Sequence, residues 1–377
     1  MPSLVGSEMC IRDSARTAHI TEGTKPGLGR VTCQYRNRCM RGCPYGAYFS
    51  SNSSTLPAAE ATGNMTLMPN SIVHEIIYDE ENKKAKGVRV IDAENNQSYE
   101  YFAKVIFLCS STVGSTSILM QSKSNRFPNG MGNDSGELGH NIMDHHFQVG
   151  ASGTFKGFKN KTTFGRKPAG FYIPRFRNIG GITDRKDYIR GYQYQGGANR
   201  GFMSIADSKE ELVSYGPRFK ENIVKRDEWT ASMTGFGEIL PYHDNKMTLN
   251  YDKKDQWGLP TVTFDAKIRE NEITMRKDMK IQAEEMLERS GFKDVYGNES
   301  KYVFGNGIHE MGTARMGNDP KTSVLNANNQ IHDVKNVYVT DGACMTSAGN
   351  QNPSITYMAL TARAAKHAVD ELNKQNI

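Results

Sequence analysis

Beyond a polar, glycine-containing stretch after Ala15, short apolar runs alternate with turn residues along most of this chain. Leu56–Ala61 favours helix. From Met65 the pattern becomes strand-like: Met65–Met68, Ile72–Tyr78, Gly87–Asp92 and Tyr99–Phe102 are apolar runs, with turn residues at Asp79–Lys84 and Glu94–Gln97. That pattern predicts a β-meander. Lys104–Cys109 is a continuous apolar run, as expected of a strand buried on both faces. Ser110–Gly114 predicts a turn and Ser115–Ser122 a helix, which together make a βα unit of a layered α/β fold. From Gly150 to about Leu249 aromatics and glycines dominate, predicting an antiparallel sheet and a domain boundary near Gly150. Ile268–Ser290 predicts a helix with Ile273, Met279, Ile281, Met286 and Leu287 on its apolar face. After Gly305 layered α/β character returns: Asn336–Thr340 as a buried strand, then a helix over Ser354–Asn373 with Ile355, Met358, Ala362, Ala365, Val369 and Leu372 on one side. The fold class is therefore mixed α/β, a layered α/β part interrupted by an antiparallel-sheet part.

Composition narrows the function classes. With 377 residues, 23% charged and 37% hydrophobic, the chain suits a globular protein of two domains or of one large discontinuous one. The net charge of +6 is dispersed with no basic block, which argues against nucleic-acid binding. No apolar run approaches the roughly 18 residues of a membrane span. Three of the six cysteines, Cys33, Cys39 and Cys43, crowd together, with Cys10, Cys109 and Cys344 elsewhere. In a chain this long that crowding indicates a metal or redox site more than a disulfide scaffold. The opening MPSLVGSEMCIRDS (residues 1–14) has neither periodicity nor a signal-peptide layout. It is expected to be foreign to the native chain, which would then begin upstream; Cys10 is set aside with it.

Candidate chemistry concentrates near the C-terminus, in HEMGTARMG (His309–Gly317), NVYVTDGA (Asn336–Ala343) and GNQNPSITYMAL (Gly349–Leu360). Asn352-Pro353 has the residue types of a helix cap and first turn. A helix starting there offers free N–H groups and a positive dipole end to an anion, such as the N1/C2 oxygen region of a reduced flavin. Taken singly, Asn352 reads as a plain cap and His309 as a structural histidine; the combination of the two, with a strand ending at Asp341-Gly342 between them, points to a site.

HxxGTxRMG, a strand ending in Asp-Gly, and Asn-Pro-Ser before a last helix resemble the C-terminal region of the glucose–methanol–choline (GMC) oxidoreductases. LGHNIMDHH (Leu138–His146) resembles that family's G-x-N-L-x-D-H segment, and VIFLCSSTVGSTSILMQS (Val105–Ser122) its strand–turn–helix in which small residues face the flavin. The resemblance runs from Cys33 to Lys374, weakly over 150–300. It implies a truncated FAD-binding fold: 15–150 part of the FAD domain with the cysteine cluster, 151–304 the substrate domain, and 305–377 the returning part of the FAD domain. It implies FAD as cofactor, an alcohol or sugar as substrate, His309 as base and Asn352 as its partner. Many members have His at the second position; Asn resembles the pyranose-oxidase, choline-oxidase and gluconate-dehydrogenase branches. The implied chemistry is hydride transfer from a hydroxyl-bearing carbon to flavin N5 while His309 takes the hydroxyl proton. Ser111, Asn141, Asp144, Asp341, Gly342, Asn352, Pro353 and Ser354 are the implied cofactor contacts.

Cys33-x5-Cys39-x3-Cys43-Pro44 resembles the ligands of a three-iron–four-sulfur cluster in the large subunits of sugar and gluconate dehydrogenases. There electrons pass to a cytochrome c or small-subunit partner, which would suit the periplasm; the sequence itself leaves the compartment undetermined. The alternative is three reduced cysteines packing a loop; zinc would need His19 or Cys10 as fourth ligand. His145 and His146 read as loop residues near the flavin, with a metal pair as the alternative. The aromatics of 170–202 read as sheet packing, with stacking on a pyranose ring as the alternative. No strand–GxGxxG–helix is present: Gly130-Met131-Gly132 lies in a polar turn. The family's adenine-pyrophosphate fingerprint would then lie upstream. The competing readings are an oxygen-using oxidase and a truncated remnant unable to hold flavin.

Overall fold

The structure, a computed structural model, describes residues 17–24, 26–161, 165, 170–200, 216–217, 220 and 228–377. The first fourteen residues, Cys10 among them, lie outside that set, as do Gly201 and Phe202.

A short helix α1 (Thr55–Glu60) precedes the meander β1 (Ser71–Asp79), β2 (Lys84–Asp92) and β3 (Ser98–Phe102), antiparallel in that order. Met65–Met68 does not join it: the segment finds no partner strand and leaves Leu67 63% exposed, and Pro69 and a left-handed Asn70 (φ 59°) then turn the chain into β1. β4 (Ile106–Leu108) follows. Helix α2 (Ser111–Gln121) starts four residues before the predicted position, because one left-handed residue, Ser111 (φ 67°), makes the whole turn.

The antiparallel part comprises β5 (His145–His146), β6 (Val149–Phe155), β7 (Gly170–Ile173), β8 (Tyr192–Asn199) and β9 (Trp229–Glu238), then a hairpin of β10 (Lys246–Lys254) and β11 (Pro260–Asp265). Helix α3 (Glu270–Arg289) leads into β12 (Lys293–Glu299), which returns to the sheet as its edge, in the order β12-β6-β9-β8-β7 with β5 on β9. The sheet thus reaches past the predicted limit near Leu249. α3 covers one face of it: Met275, Met279, Ala283 and Leu287 pack against Val149, Ala151, Tyr192, Tyr194 and Met233. Ile281, expected on that face, is exposed, and Asp278 is buried instead. Asp278 takes both N–H arms of Arg177 (2.9 and 3.1 Å) and the hydroxyls of Tyr188 and Tyr192 (2.7 Å each), so the aromatics of this stretch pack and anchor the sheet.

The chain closes with β13 (Gln330–Ile331), β14 (Val334–Val339) and helix α4 (Ser354–Asn373). β14 pairs in parallel with β4, making the layered α/β part. Ile106, Leu108, Ile118, Leu119, Val337 and Val339 lie in its core. α4 turns the opposite way from its hydrophobic pattern: Ala364 and Ala368 are buried against Tyr338, while Ile355 (78%) and Val369 (56%) face outward. Small residues let this helix lie close on the strand, and that packing overrides the larger side chains.

Asn336 ties the meander to the parallel strands. Its Oδ1 accepts from Ala85 N–H (3.0 Å), and its Nδ2 donates to Ala85 C=O (2.7 Å) and Lys104 C=O (2.9 Å), all at a buried position. Asn336→Ala would strand buried backbone groups, each costing about 1–3 kcal/mol. Urea unfolding should show a loss of at least that size; a midpoint within error of the parent would mean that these groups find water or other partners.

Candidate active site

The site begins with a buried acid. Asp144, wholly inaccessible, ends the segment before β5 and accepts hydrogen bonds from the backbone N–H groups of His145 (2.7 Å), Gly305 (3.1 Å), Gly307 (2.9 Å) and His309 (3.1 Å) and from Tyr302 Oη (3.0 Å). A carboxylate placed so gathers loop 302–309 around itself. Gly307 must be glycine for this: a Cβ there would fall 2.2 Å from Asp144 Oδ1 and 2.0 Å from His145 C=O. The same wrapping holds exposed Ile308 at φ 55°, an unfavourable conformation for a β-branched residue, immediately before His309.

His309 then meets His145 of β5, Nδ1 to Nδ1 at 2.9 Å, and the other ring nitrogen of His145 is hydrogen-bonded to Gly349 C=O. The far nitrogen of His309, Nε2, lies 3.4 Å from Asn352 Nδ2, and Asn352 Oδ1 accepts from Gln195 Nε2 on β8 (2.5 Å). Phe236 of β9 borders both imidazoles. Burial, with His145 nearby, lowers the His309 pKa to about 4, so the ring is neutral at pH 7.

Asn352 is not the helix cap expected of it. α4 begins at Ser354 after Pro353 at the cap position, and no side chain caps it. The N–H groups of its first turn therefore lack intrahelical partners, as at any helix start, while the Asn352 amide is committed to His309 and Gln195.

Ser111, His309, Asp341, Gly342, Pro353 and Ser354, six of the residues singled out in the sequence, line one open cleft of about 290 Å³, with Thr112 and Tyr357 among its other walls. Asp341 holds the cleft together, accepting from Ser115 Oγ (2.5 Å) and Ala343 N–H (2.9 Å); burial raises its pKa. Gly342 fits where no side chain could: its Cβ would lie 2.4 Å from both Glu310 C=O and Thr112 Oγ1. The Tyr357 hydroxyl is buried there without a partner among the described residues. Asn141 and Asp144 are not among the cleft's walls. Asn141 donates to Glu137 (2.7 Å), and Asp144 is occupied with loop 302–309.

His145 and His146 do not form a metal pair. Consecutive strand residues point to opposite faces, so His146 lies buried against Gly237 with neither ring nitrogen partnered among the described residues. The sequence reading missed Gln195 and the His145–His309 contact. Alternation could have placed Gln195: with Tyr192 and Tyr194 facing the core, β8 turns Gln193 and Gln195 the other way.

Cys33, Cys39 and Cys43 are free thiols lining one cavity of about 550 Å³, with His19 Nε2 3.3 Å from Cys39 Sγ. Although burial raises it, the Cys43 thiol pKa is brought below its usual value by the backbone N–H groups of Tyr48, Tyr45 and Ala47 and by Arg36. Among the described residues no three His, Cys, Asp or Glu side chains are grouped to hold a metal ion.

Two family models, both described as GMC oxidoreductase, match residues 29–147 and 241–361. The chain is 28% identical over 353 residues to a 2-methyl-1,2-propanediol dehydrogenase of Mycolicibacterium austroafricanum (91% of this chain, 61% of the relative). It is 26% identical over 355 residues to a fructose dehydrogenase large subunit of Gluconobacter japonicus (93% and 62%). It thus spans about three-fifths of the length of these relatives. A solved formate oxidase variant from Aspergillus oryzae RIB40 superimposes with a TM-score of 0.60 at 16% identity, covering 87% of this chain and 64% of that one, which is a likeness of fold.

Three neighbouring histidines resist protonation: His309 to about 4 and His146 to about 3, with His145 also lowered, in each case first by burial. An unfolded chain takes up these protons near pH 6.5 and the folded one does not, so stability falls as pH drops from about 6.5 toward 4. Melting temperatures measured across that window should decline, and His146→Leu, which removes one such group, should flatten the decline. An unchanged slope would mean that His146 is not a source of the acid sensitivity.

Proposed function

This chain belongs to the GMC oxidoreductase family, and from that premise we propose that it carries the substrate side of an FAD-dependent dehydrogenase oxidising a CH–OH group of a sugar or sugar-like alcohol. The observation that carries this reading is the pairing of His309 Nε2 with Asn352 Nδ2 at 3.4 Å beside the cleft between the starts of α2 and α4. A substrate hydroxyl seated between those two nitrogens would lose its proton to neutral His309, while the Asn352 amide donates to the same oxygen and orients it. Gln195 holds that amide with its N–H₂ toward the histidine.

The cleft fits part of a flavin. The unpartnered Tyr357 hydroxyl, the free N–H groups at the start of α4 and the close approach allowed by Gly342 suit the polar edge of an isoalloxazine. Ser111, Thr112, Gly342, Pro353 and Ser354 would hold it. Bound flavin would supply the acceptor for the hydride leaving the substrate carbon. Phe236 and Phe147, stacked with centroids 5.5 Å apart, would limit water near His309. The dehydrogenase named among the relatives as a fructose enzyme supports a sugar substrate.

A second reading concerns the electron acceptor. Cys33, Cys39 and Cys43 line one cavity, the Cys43 thiol with a lowered pKa, and although no three metal-binding side chains are grouped there among the described residues, these three would be the ligands of an iron–sulfur cluster passing electrons to a cytochrome or small-subunit partner. Analysis of the anaerobically purified complete protein should find iron and labile sulfide, both lost in Cys39→Ser. Their absence would favour an oxidase that hands electrons directly to oxygen.

In the complete protein, His309→Ala should lower kcat by about 10²–10⁴ with little change in flavin content. Asn352→Ala should lower turnover without shifting the melting temperature, since Asn352 caps nothing. An unaffected kcat in His309→Ala would remove His309 as the base.

A further inference from the structure

We propose that His145 is the positioning residue that sets the tautomer of His309, so that the lone pair of the base points toward Asn352 and not away from it. This rests on His309 being the base, and it follows from the order of donors and acceptors along one line of contacts. A backbone carbonyl only accepts. Gly349 C=O, hydrogen-bonded to His145 Nε2, therefore places the His145 proton on Nε2. A neutral imidazole has one such proton, so His145 Nδ1 is bare. His309 Nδ1, 2.9 Å away, must then be the donor, and its own single proton is spent there. His309 Nε2 is left bare, facing the donating Nδ2 of Asn352 at 3.4 Å, whose orientation is set by Gln195 Nε2 on Asn352 Oδ1 at 2.5 Å. Every bond in the line runs donor to acceptor in one sense, from Gln195 on the substrate sheet and from His309 outward to Gly349.

The line is held rigid. His145 is fully buried, its N–H is held by Asp144, Phe236 lies at its edge, and Gly349 belongs to the loop that enters α4. A neutral imidazole free of constraint favours the proton on Nε2, the tautomer that would face a substrate hydroxyl with a proton and could not accept one. His145 reverses that preference. Orienting partners of this kind matter to catalysis: loss of the correct tautomer in a histidine-based hydrolase costs about 10⁴ in kcat.

Side-chain amides separate this role from a merely structural one. The Asn carboxamide falls where Nδ1 of His145 lies, and that of Gln where Nε2 lies. His145→Asn keeps an acceptor for His309 and loses the Gly349 bond; His145→Gln keeps the Gly349 bond and loses the acceptor. The test is long-range ¹H–¹⁵N correlation on protein labelled in histidine, with the His309 ring assigned by its disappearance in His309→Gln. The expected result is a bare Nε2 and a protonated Nδ1 on His309 in the parent and in His145→Asn, and the reverse or a mixture in His145→Gln. Turnover of the complete enzyme should follow the tautomer, falling roughly 10²–10⁴-fold in His145→Gln and by much less in His145→Asn. A bare Nδ1 on His309 in the parent, or the same tautomer in the parent and His145→Gln, overturns the proposal. The spectra are read without reference to activity, so they stand apart from the test of His309 as the base.

Discussion

Asp144 sits between two stretches of chain about 160 residues apart and holds them in register. It closes the segment that enters β5, and its two oxygens collect the backbone N–H groups of Gly305, Gly307 and His309 itself, with the Tyr302 hydroxyl as a further donor. A buried carboxylate is tolerable only when its lone pairs are met by donors. Meeting them forces loop 302–309 into a tight wrap with a glycine at 307 and a strained isoleucine at 308. The position of His309 is therefore a consequence of satisfying an acid that never reaches the cleft. The adjacent residue, His145, receives its direction from the same fixed point, and so both imidazoles are placed by one interaction.

The layered α/β part and the antiparallel sheet meet at this place. From the layered part come the starts of α2 and α4 and the Asp341-Gly342 turn, packed so closely that no Cβ fits at 342. From the sheet come Gln195, Phe236 and His145. Neither part alone brings the paired imidazoles, the Asn352 amide and the cleft together. Among the described residues no helix is long and apolar enough to cross a membrane, and the outward-facing Ile355 and Val369 of α4 are unaccompanied by such a span. The cysteine cavity is built from short turns rather than from either sheet. That allows three thiols to share one space although the chain between them has little regular structure beyond a 3-10 turn at Cys39–Arg41.

Periodicity and residue type were enough to mark out the meander, the antiparallel sheet and the two long helices, because each depends on neighbours within a few residues. They also brought His309, Asn352 and Asp341-Gly342 forward as one constellation, to which only the family resemblance added Ser111. What they could not reach was which way these parts face. α4 buries two alanines instead of its branched residues because a strand already lies there for small side chains to approach. Asn352 serves His309 instead of capping α4 because Gln195, 157 positions earlier, comes to meet its amide. Asp144 and Asn141 read as cofactor contacts in sequence, but the fold turns both inward, onto loop 302–309 and Glu137. A sequence determines local conformation and the inventory of chemical groups. Whether a given carboxylate, amide or imidazole meets substrate, backbone or another side chain is decided by contacts between distant segments, and only the tertiary structure brings those segments together.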